Sequence, residues 1–282
     1  MTIPDDQLAA SDDQLAAVLA QEAGRRLLAL RAVGGDAQSL RDAGDRSSHE
    51  FLTGELARFR PGDAVLSEEG ADDLARLSAS RVWIIDPLDG TREYGEPGRT
   101  DWAVHVALWA DGDLAAGAVA LPAQGTVLST ANPPVRPPTG PAAGAFDPAS
   151  GGTGTPLRLL VSRSRPPEFV TDLAKSLDAM LVPMGSAGAK TAAVIDGEAD
   201  AYLHSGGQYE WDSAAPVAVA RAAGLHASRI DGSDLRYNQA NPSVPDILIC
   251  PIGLAARLLQ AISRSLPASA AGLPEPGGTI AQ

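Results

Sequence analysis

Cysteine is almost missing. Cys250 is the single thiol of the 282-residue chain, so no disulfide can form within it, and an intracellular, cytoplasmic location is the expectation. It follows the apolar run Ile247-Leu248-Ile249, which offers no positive charge to activate a thiol; it reads as a small buried hydrophobe, not a nucleophile. Histidine is scarce as well. His49, His105, His204 and His226 share no i, i+4 or clustered spacing, so each is assigned a packing or hydrogen-bonding role in preference to a metal-ligand or phosphohistidine one. No G-x-x-x-x-G-K-[ST] phosphate loop occurs. No stretch approaches a membrane span, and Met1-Thr2-Ile3-Pro4-Asp5-Asp6 is acidic where a secretory signal would be basic. Positive charge is in deficit: 22 Lys and Arg stand against 35 Asp and Glu, a net charge of −13. That balance argues against nucleic acid or an anionic membrane as partner. A small phosphorylated substrate would have to be attracted locally.

What the chain does carry is ordinary globular composition, 44% hydrophobic and 20% charged, enough for two modest cores, and one unusual nonapeptide. In Trp83-Ile84-Ile85-Asp86-Pro87-Leu88-Asp89-Gly90-Thr91, Val82 to Ile85 read as a buried strand, and Pro87, which has no N–H, is expected to end its pairing. Asp86 and Asp89 then lie at a strand's carboxyl end, where ligands bind in layered α/β folds. Two carboxylates this close repel unless a cation lies between them. With no Cys or His nearby, an all-oxygen site for Mg²⁺, Mn²⁺ or Ca²⁺ follows. Gly90-Thr91 adds backbone N–H groups suited to phosphate oxygens. The same letters also suit a tight surface turn.

Three further acidic positions have the same double meaning. Glu68-Glu69 follows the apolar Ala64-Val65-Leu66 and is either a second strand end or a solvated turn. Asp212, in Glu210-Trp211-Asp212-Ser213, opens a helical pattern running to Ala223 and is either a ligand or an N-cap. Asp45 precedes the amphipathic His49-Glu50-Phe51-Leu52 and is either functional or a loop or cap residue.

The remaining organisation is coarse. Asp5-Asp6-Gln7-Leu8-Ala9-Ala10 recurs as Asp12-Asp13-Gln14-Leu15-Ala16-Ala17, a local duplication whose first copy reads as a loose extension. Ser11 and Gln14 can form a capping box for a helix with Leu15, Val18, Leu19, Ala23, Leu27 and Leu30 on one face. Residues 102–109, 113–121 and 125–130 read as an antiparallel meander. Residues 132–156 contain seven prolines and five glycines, too many for a packed element, so a loop or linker is expected there. Beyond it, strands at 157–161, 200–204 and 246–250 alternate with helices at 168–180, 187–196 and 214–223. The expected architecture is an α+β domain over 1–155, an α/β domain over 156–265 and a disordered tail over 266–282. A site using Asp212 would then lie between the domains.

Taken in order, Asp45, Glu68-Glu69, Asp86-Pro87-Leu88-Asp89-Gly90-Thr91 and Trp211-Asp212 resemble the magnesium-dependent, lithium-sensitive phosphatases of the inositol monophosphatase superfamily, over about residues 12–262. Thr91-Arg92-Glu93-Tyr94 and Gly185-Ser186-Ala187-Gly188-Ala189-Lys190 are most similar to the bacterial 3'(2'),5'-bisphosphate nucleotidase branch. The resemblance implies an αβαβα layering, a homodimer, and removal of the 3'-phosphate of 3'-phosphoadenosine 5'-phosphate. It further implies action on the sulfated relative of that nucleotide and a role in sulfate assimilation. Inositol monophosphate and fructose 1,6-bisphosphate are the alternative substrates.

The same resemblance assigns roles. Two or three Mg²⁺ ions, replaceable by Mn²⁺, would be held by Glu68, Asp86 and the Leu88 carbonyl, with Asp86 bridging to a site made by Asp89 and Asp212; Glu69 is a weaker candidate ligand. Asp45 and Thr91, with Glu68, would activate a water for direct attack on phosphorus. Gly90 and Thr91 would hold phosphate oxygens. Arg92, Ser186, Lys190 and Tyr209, beside the ligands Glu68, Leu88, Asp89 and Asp212, would complete the substrate pocket. Lys190 has a solvated helix face as its plainer reading, and Tyr209 and Trp211 can stack on adenine or fill a core, core being favoured for Trp211.

Two rivals remain. An aspartyl-phosphate phosphatase needs D-x-D, and Asp86 and Asp89 are three residues apart. A metal- or phosphate-binding sensor on the same fold would keep the ligands without turnover, which leaves Asp45 and Thr91 unexplained.

Overall fold

β-Branched and aliphatic runs build two five-stranded sheets, and the hydrophobic period of each run decides what covers it. The computed structural model describes residues 3, 10–137, 156–164, 166–167 and 169–266. Strands β1 (Ala64–Ser67), β2 (Arg81–Asp89), β3 (Ala103–Ala110), β4 (Asp113–Leu121) and β5 (Thr126–Ser129) lie side by side in sequence order. β1 and β2 are parallel and the others antiparallel. The β3–β4 hairpin turns on Asp111 and Gly112, both at positive φ, the conformation that an Asp-Gly two-residue hairpin needs.

Helices α1 (Asp12–Val33) and α2 (Ala37–Phe59) cover one face of this sheet. Along β2, Trp83 and Ile85 point into the core beneath those helices, and Val82 and Ile84 into the core on the other side. Burial on both faces is why this strand is a continuous apolar run and not an alternating one. Gln14 accepts the Ser11 N–H at 3.2 Å at the start of α1, as a capping box would place it.

The second sheet runs β7-β6-β8-β10-β9, from β6 (Leu157–Ser162), β7 (Ala179–Met184), β8 (Ala201–Tyr209), β9 (Leu225–Ser228) and β10 (Ser243–Pro251). β6 is parallel to β7 and β8, whereas β10 is antiparallel to both its neighbours. The short α3 (Thr91–Gly95) follows β2. α4 (Val170–Leu177) and α7 (Ile252–Ser265) pack on the outer face of this second sheet. α5 (Ala187–Ile195) and α6 (Glu210–Ala222) are clamped between the two sheets. The order of layers is αβαβα, as the resemblance implies. The middle layer is buried all round, as a doubly covered helix must be, and alanines let it fit: a Cβ on Gly117 of β4 would lie 2.5 Å from Ala218 Cβ.

Several boundaries differ from expectation for local reasons. Pro87 interrupts β2 without ending it: Asp86 pairs with His105, the register shifts, and Asp89 pairs with Ala103. Leu88 N–H turns instead to Asp86 Oδ1 at 3.0 Å. The helix expected over 168–180 stops at Leu177, where Asp178 takes a left-handed conformation, and Ala179–Met184 form edge strand β7. β8 runs on to Tyr209, while β9 and α7 have no counterpart in the expected elements. Asp45 is neither loop nor cap; it lies inside α2. The core between the sheets also takes side chains from both sides of the expected boundary near residue 155, Val82 and Ile84 together with Val194 and Val217. The first repeat copy apart from Ala10, residues 138–155 of the expected linker and residues 267–282 of the expected tail lie outside the described residues.

A buried latch joins the two halves near the loop after Glu68. Arg76, 1% exposed, donates to Asn238 Oδ1 at 2.7 Å, to the Gln239 carbonyl at 2.9 Å and to Asp72 at 2.6 Å. Glu210, at the start of α6, accepts the Asn238 and Gln239 N–H groups at 2.7 Å each.

Gly44 shows how closely α2 approaches the loop that follows β2. A Cβ there would lie 2.8 Å from Tyr94 Cε1 and 3.1 Å from Leu88 Cδ2. Alanine is better than glycine in a helix by about 1 kcal/mol, but overpacking costs about 1–3 kcal/mol. Overlap with two well-packed side chains is expected to win. Gly44→Ala should lower the Tm by a few degrees in a thermal melt, where an unobstructed helix site would raise it.

Candidate active site

Parallel pairing of β1 and β2, with Ser67 opposite Ile85, brings their carboxyl ends together and sets Glu68 beside Asp86. The chain then turns at Gly90, whose φ of 84° is left-handed, and a Cβ there would lie 3.2 Å from the Asp101 carbonyl and 3.3 Å from Trp102 Cα. Only glycine fits both demands. From the second half, α6 supplies Asp212 in its first turn, where its Oδ2 accepts the Tyr209 N–H at 2.6 Å. Oxygens of Asp86, Asp89 and Asp212 lie within 4.8 Å of one another.

Asp89 is the best-supported of the three. Its Oδ2 accepts from Ser186 Oγ at 2.5 Å and from Gly188 N–H at 3.0 Å, and lies 3.1 Å from His105 Nε2. Burial alone would raise its pKa, but His105 and then Lys190 and Ser186 outweigh that and hold it at about 2. Lys190 is itself 4% exposed, with its ammonium on the Gly185 carbonyl and 5.0 Å from the centre of the Tyr202 ring. Loss of water pulls its pKa down to about 8 against the attraction of Asp89.

The other carboxylates lack such support. Asp86 is driven well above the ordinary range by burial and by the charge of Glu68. Glu68, at the open mouth, is raised by loss of water and by Asp212. Asp212 is pushed up to about 6 by burial and by Asp89. Asp45, whose Oδ1 is 3.5 Å from Thr91 Oγ, is pushed up to about 7 by burial and then by Glu69. Protons would settle on such a group unless a divalent cation replaced them. The donor set therefore fits a hard cation bound by oxygen.

An open cleft of about 240 Å³ unites Glu68, Asp86, Leu88, Asp89, Gly90, Thr91, Arg92, Ser186, Lys190 and Asp212 on its walls. A larger apolar groove of about 430 Å³ runs along α1 and β5, and none of these carboxylates lines it. Asp45 reaches the cleft through Thr91, whose hydroxyl donates to the Leu88 carbonyl at 3.0 Å. Lys190 is not on a solvated face, because α5 is buried between two sheets. The Ser186 hydroxyl is occupied within the protein, donating to Asp89 and accepting the Ala189 N–H at 3.0 Å. Tyr209 is 44% exposed and does not line the cleft; it stacks on Trp211, ring centres 4.8 Å apart and planes 11° apart. Trp211 is half-buried and packs against the edge of the core between the sheets, as favoured for it.

Sequence reasoning missed the far wall. Ser162 ends β6 and Arg163 and Ser164 follow it along the cleft wall, and Arg163 pairs with Glu93 at 2.9 Å and with Glu96 at 2.7 Å. The rule that singled out Glu68, polar residues at the carboxyl end of an apolar strand, would have found them. His105 left no comparable signal, since its partners come from distant segments.

A sequence profile described as the inositol monophosphatase family matches residues 6–266. The chain is 51% identical to the 3'-phosphoadenosine 5'-phosphate phosphatase of Mycobacterium leprae over 92% of its own length and 96% of that protein. It is 52% identical to the protein of the same name in Mycobacterium tuberculosis, covering 86% and 90%. Among solved structures, inositol monophosphatase II of Staphylococcus aureus superposes with a TM-score of 0.71 at 21% identity, covering 88% of this chain and 94% of that one.

The raised carboxyls make the metal-free protein pH-sensitive. A carboxyl whose folded pKa exceeds its unfolded value binds protons more tightly in the folded state, so stability falls as pH rises from about 4 through the folded values, about 6 for Asp212 and about 7 for Asp45. Asp89 acts oppositely, but only as pH falls from about 4 toward its folded value of about 2. The Tm of protein stripped with chelator should therefore drop between pH 5 and 7.5, and added Mg²⁺ should raise it more at pH 7.5 than at pH 5. A pH-independent Mg²⁺ shift would contradict the assignment.

Proposed function

This chain belongs to the inositol monophosphatase family, and from that premise we propose that it is a Mg²⁺-dependent phosphatase converting 3'-phosphoadenosine 5'-phosphate to AMP and phosphate. The observation that carries the reading is the meeting of Asp86, Asp89 and Asp212 beside the Gly90-Thr91 turn in one cleft. The choice of substrate follows the relatives that share about half of their residues with this chain across nearly all of it. Action on the sulfated nucleotide, a role in sulfate assimilation, a homodimer, a cytoplasmic location and lithium sensitivity belong to the same reading. The single thiol, buried at Cys250, is what supports the location.

Glu68, Asp86, the Leu88 carbonyl, Asp89 and Asp212 would hold the cations. When bound, these acidify water and offset the negative charge that builds on phosphate oxygens. The protein's own part is positioning and proton transfer. The N–H groups of Gly90 and Thr91 seat phosphate oxygens in the turn. Asp45, with a pKa near 7, takes a proton from the attacking water through Thr91 as the new O–P bond forms. The bond from phosphorus to the 3'-oxygen breaks, and the departing oxygen gains a proton from solvent. Arg92 at the rim and Lys190 in the wall supply the positive charge that an acidic chain otherwise withholds from an anion.

Phosphate release should be compared for 3'-phosphoadenosine 5'-phosphate, inositol 1-phosphate and fructose 1,6-bisphosphate with Mg²⁺ present. The nucleotide is expected to lead, and Asp86→Ala to lose more than about 100-fold in kcat with its far-UV spectrum retained. Preference for a sugar or inositol phosphate would move the substrate assignment within the family, and no turnover of any would favour a sensor.

A further inference from the structure

His105 is a polar residue in the middle of an apolar strand. It lies between Val104 and Val106 on β3, fully buried, where a branched aliphatic side chain would be the better strand former. Nothing in the chemistry above uses it directly. Each ring nitrogen nevertheless faces an oxygen: Nε2 is 3.1 Å from Asp89 Oδ2, and Nδ1 is 3.1 Å from the Trp211 carbonyl oxygen. Asp89 ends β2 in the first half of the chain. Trp211 is in the first turn of α6 in the second half, one residue before Asp212. The ring therefore spans the layer between two carboxylates that no shared element holds together.

The surroundings are shaped around it. A Cβ on Gly188 would lie 2.4 Å from His105 Nε2 and 2.8 Å from Val119 Cγ1, so α5 meets the imidazole only because residue 188 has no side chain. The same glycine's N–H donates to the oxygen of Asp89 that Nε2 faces. Ser186 and Gly188 donate to Oδ2, and His105 Nε2 stands 3.1 Å from it as a charge contact without hydrogen-bond alignment, which leaves Oδ1 to face anything else.

We propose that His105 is a positioning residue that sets the spacing of Asp89 and Asp212, the carboxylates contributed from opposite halves, for a shared cation. One nitrogen fixes the rotation of the Asp89 carboxylate and the other fixes how deeply the first turn of α6 is seated. Groups of this kind, bonded to ligands without touching the metal, typically alter metal affinity by about 10–100-fold when removed. The ring makes no hydrogen bond or ion pair with Glu68 or the Leu88 carbonyl, and Asp86 meets His105 only as its backbone neighbour across the β2–β3 ladder, so a cation held mainly by those three should respond to the ring much less. The inference rests on reading Asp86, Asp89 and Asp212 as a cation site.

The test is Mn²⁺ binding, followed by electron paramagnetic resonance with inorganic phosphate present, for wild type, His105→Leu and His105→Gln. Leucine removes both contacts at similar volume; glutamine keeps a single donor nitrogen, able to serve one of the two contacts. In His105→Leu the weaker class of Mn²⁺ sites should lose about tenfold in affinity, with His105→Gln between it and wild type, while the tighter class shifts by less than about twofold. The Mg²⁺ concentration for half-maximal phosphate release should rise in parallel, with kcat at saturating Mg²⁺ within about threefold of wild type. If His105→Leu fails to fold, His105→Gln carries the test. Unchanged binding, equal weakening of both classes, a single class in wild type, or failure of both variants to fold would each overturn the proposal. Wild type that binds no Mn²⁺ at all would instead remove the cation site on which it stands.

Discussion

The buried carboxylate of Asp89, gripped from the opposite half of the chain, is the contact on which the site depends. A carboxylate with so little water around it is tolerable only when its charge is met by donors and cations. Here they arrive from β3 as His105 and from the start of α5 as Ser186 and Gly188, with Lys190 one turn further on. Ser186 takes a positive φ of 24° to place its hydroxyl, strain that the rest of the contact must offset. Because the donors and the acceptor lie on different layers, satisfying Asp89 also fixes how the middle helices sit on the first sheet. The alanines of α5 and α6 allow that close approach, and the hydrogen bonds specify where it stops.

The neighbours of Asp89 show the opposite economy. Asp86, Glu68 and Asp212 receive few donors and repel one another, which raises their pKa values, while Asp89 is held low. One committed ligand among several unsatisfied ones gives a cluster that keeps its geometry while retaining affinity for a cation. The long-range charge of the chain, −13, opposes an anionic substrate at distances where salt does not screen it. Capture must rely on short-range groups. Arg163 is already engaged by Glu93 and Glu96, so it braces the cleft wall, and Arg92 stands exposed at the rim.

Local signals in the chain were sufficient for the layers and the carboxylates, and insufficient for what connects them. The apolar run before Asp86, the alternating runs at 102–109 and 113–121 and the helical pattern opening at Glu210 depend on neighbours in sequence, and they can be read there. Asp45 was harder, because Gly44 looks like a helix breaker until Tyr94 and Leu88 are seen against it. Pro87 reads as a stop because its missing N–H is a local fact, whereas the resumption of pairing at Asp89 depends on Ala103 across the sheet. Strand β7 escapes the sequence pattern because Ala179–Met184 adjoin a helix and form an edge with little alternation. Tyr209 looked like a base-stacking residue, and Trp211, two positions on, turns out to be what it stacks on. His105 was unreadable in principle: a lone histidine in a strand means nothing until residues 89 and 211 are known to meet there.

The division between floor and rim bears on how this site could change. Asp89, Lys190 and His105 are buried and mutually dependent, so a substitution at one leaves a charge or donor stranded, a penalty of about 1–3 kcal/mol or more per group. Arg92 and Tyr209 are exposed and make no such demands on the interior. The buried floor of the cleft is thereby tied to the fold's own stability, while Arg92 on its rim carries no such constraint. Substrate preference can drift along the rim under this arrangement without disturbing the carboxylates. For the same reason, a resemblance confined to Asp86-Pro87-Leu88-Asp89-Gly90-Thr91 and Asp212 fixes the reaction type more firmly than the substrate, and substrate assignment has to draw on similarity along the whole chain.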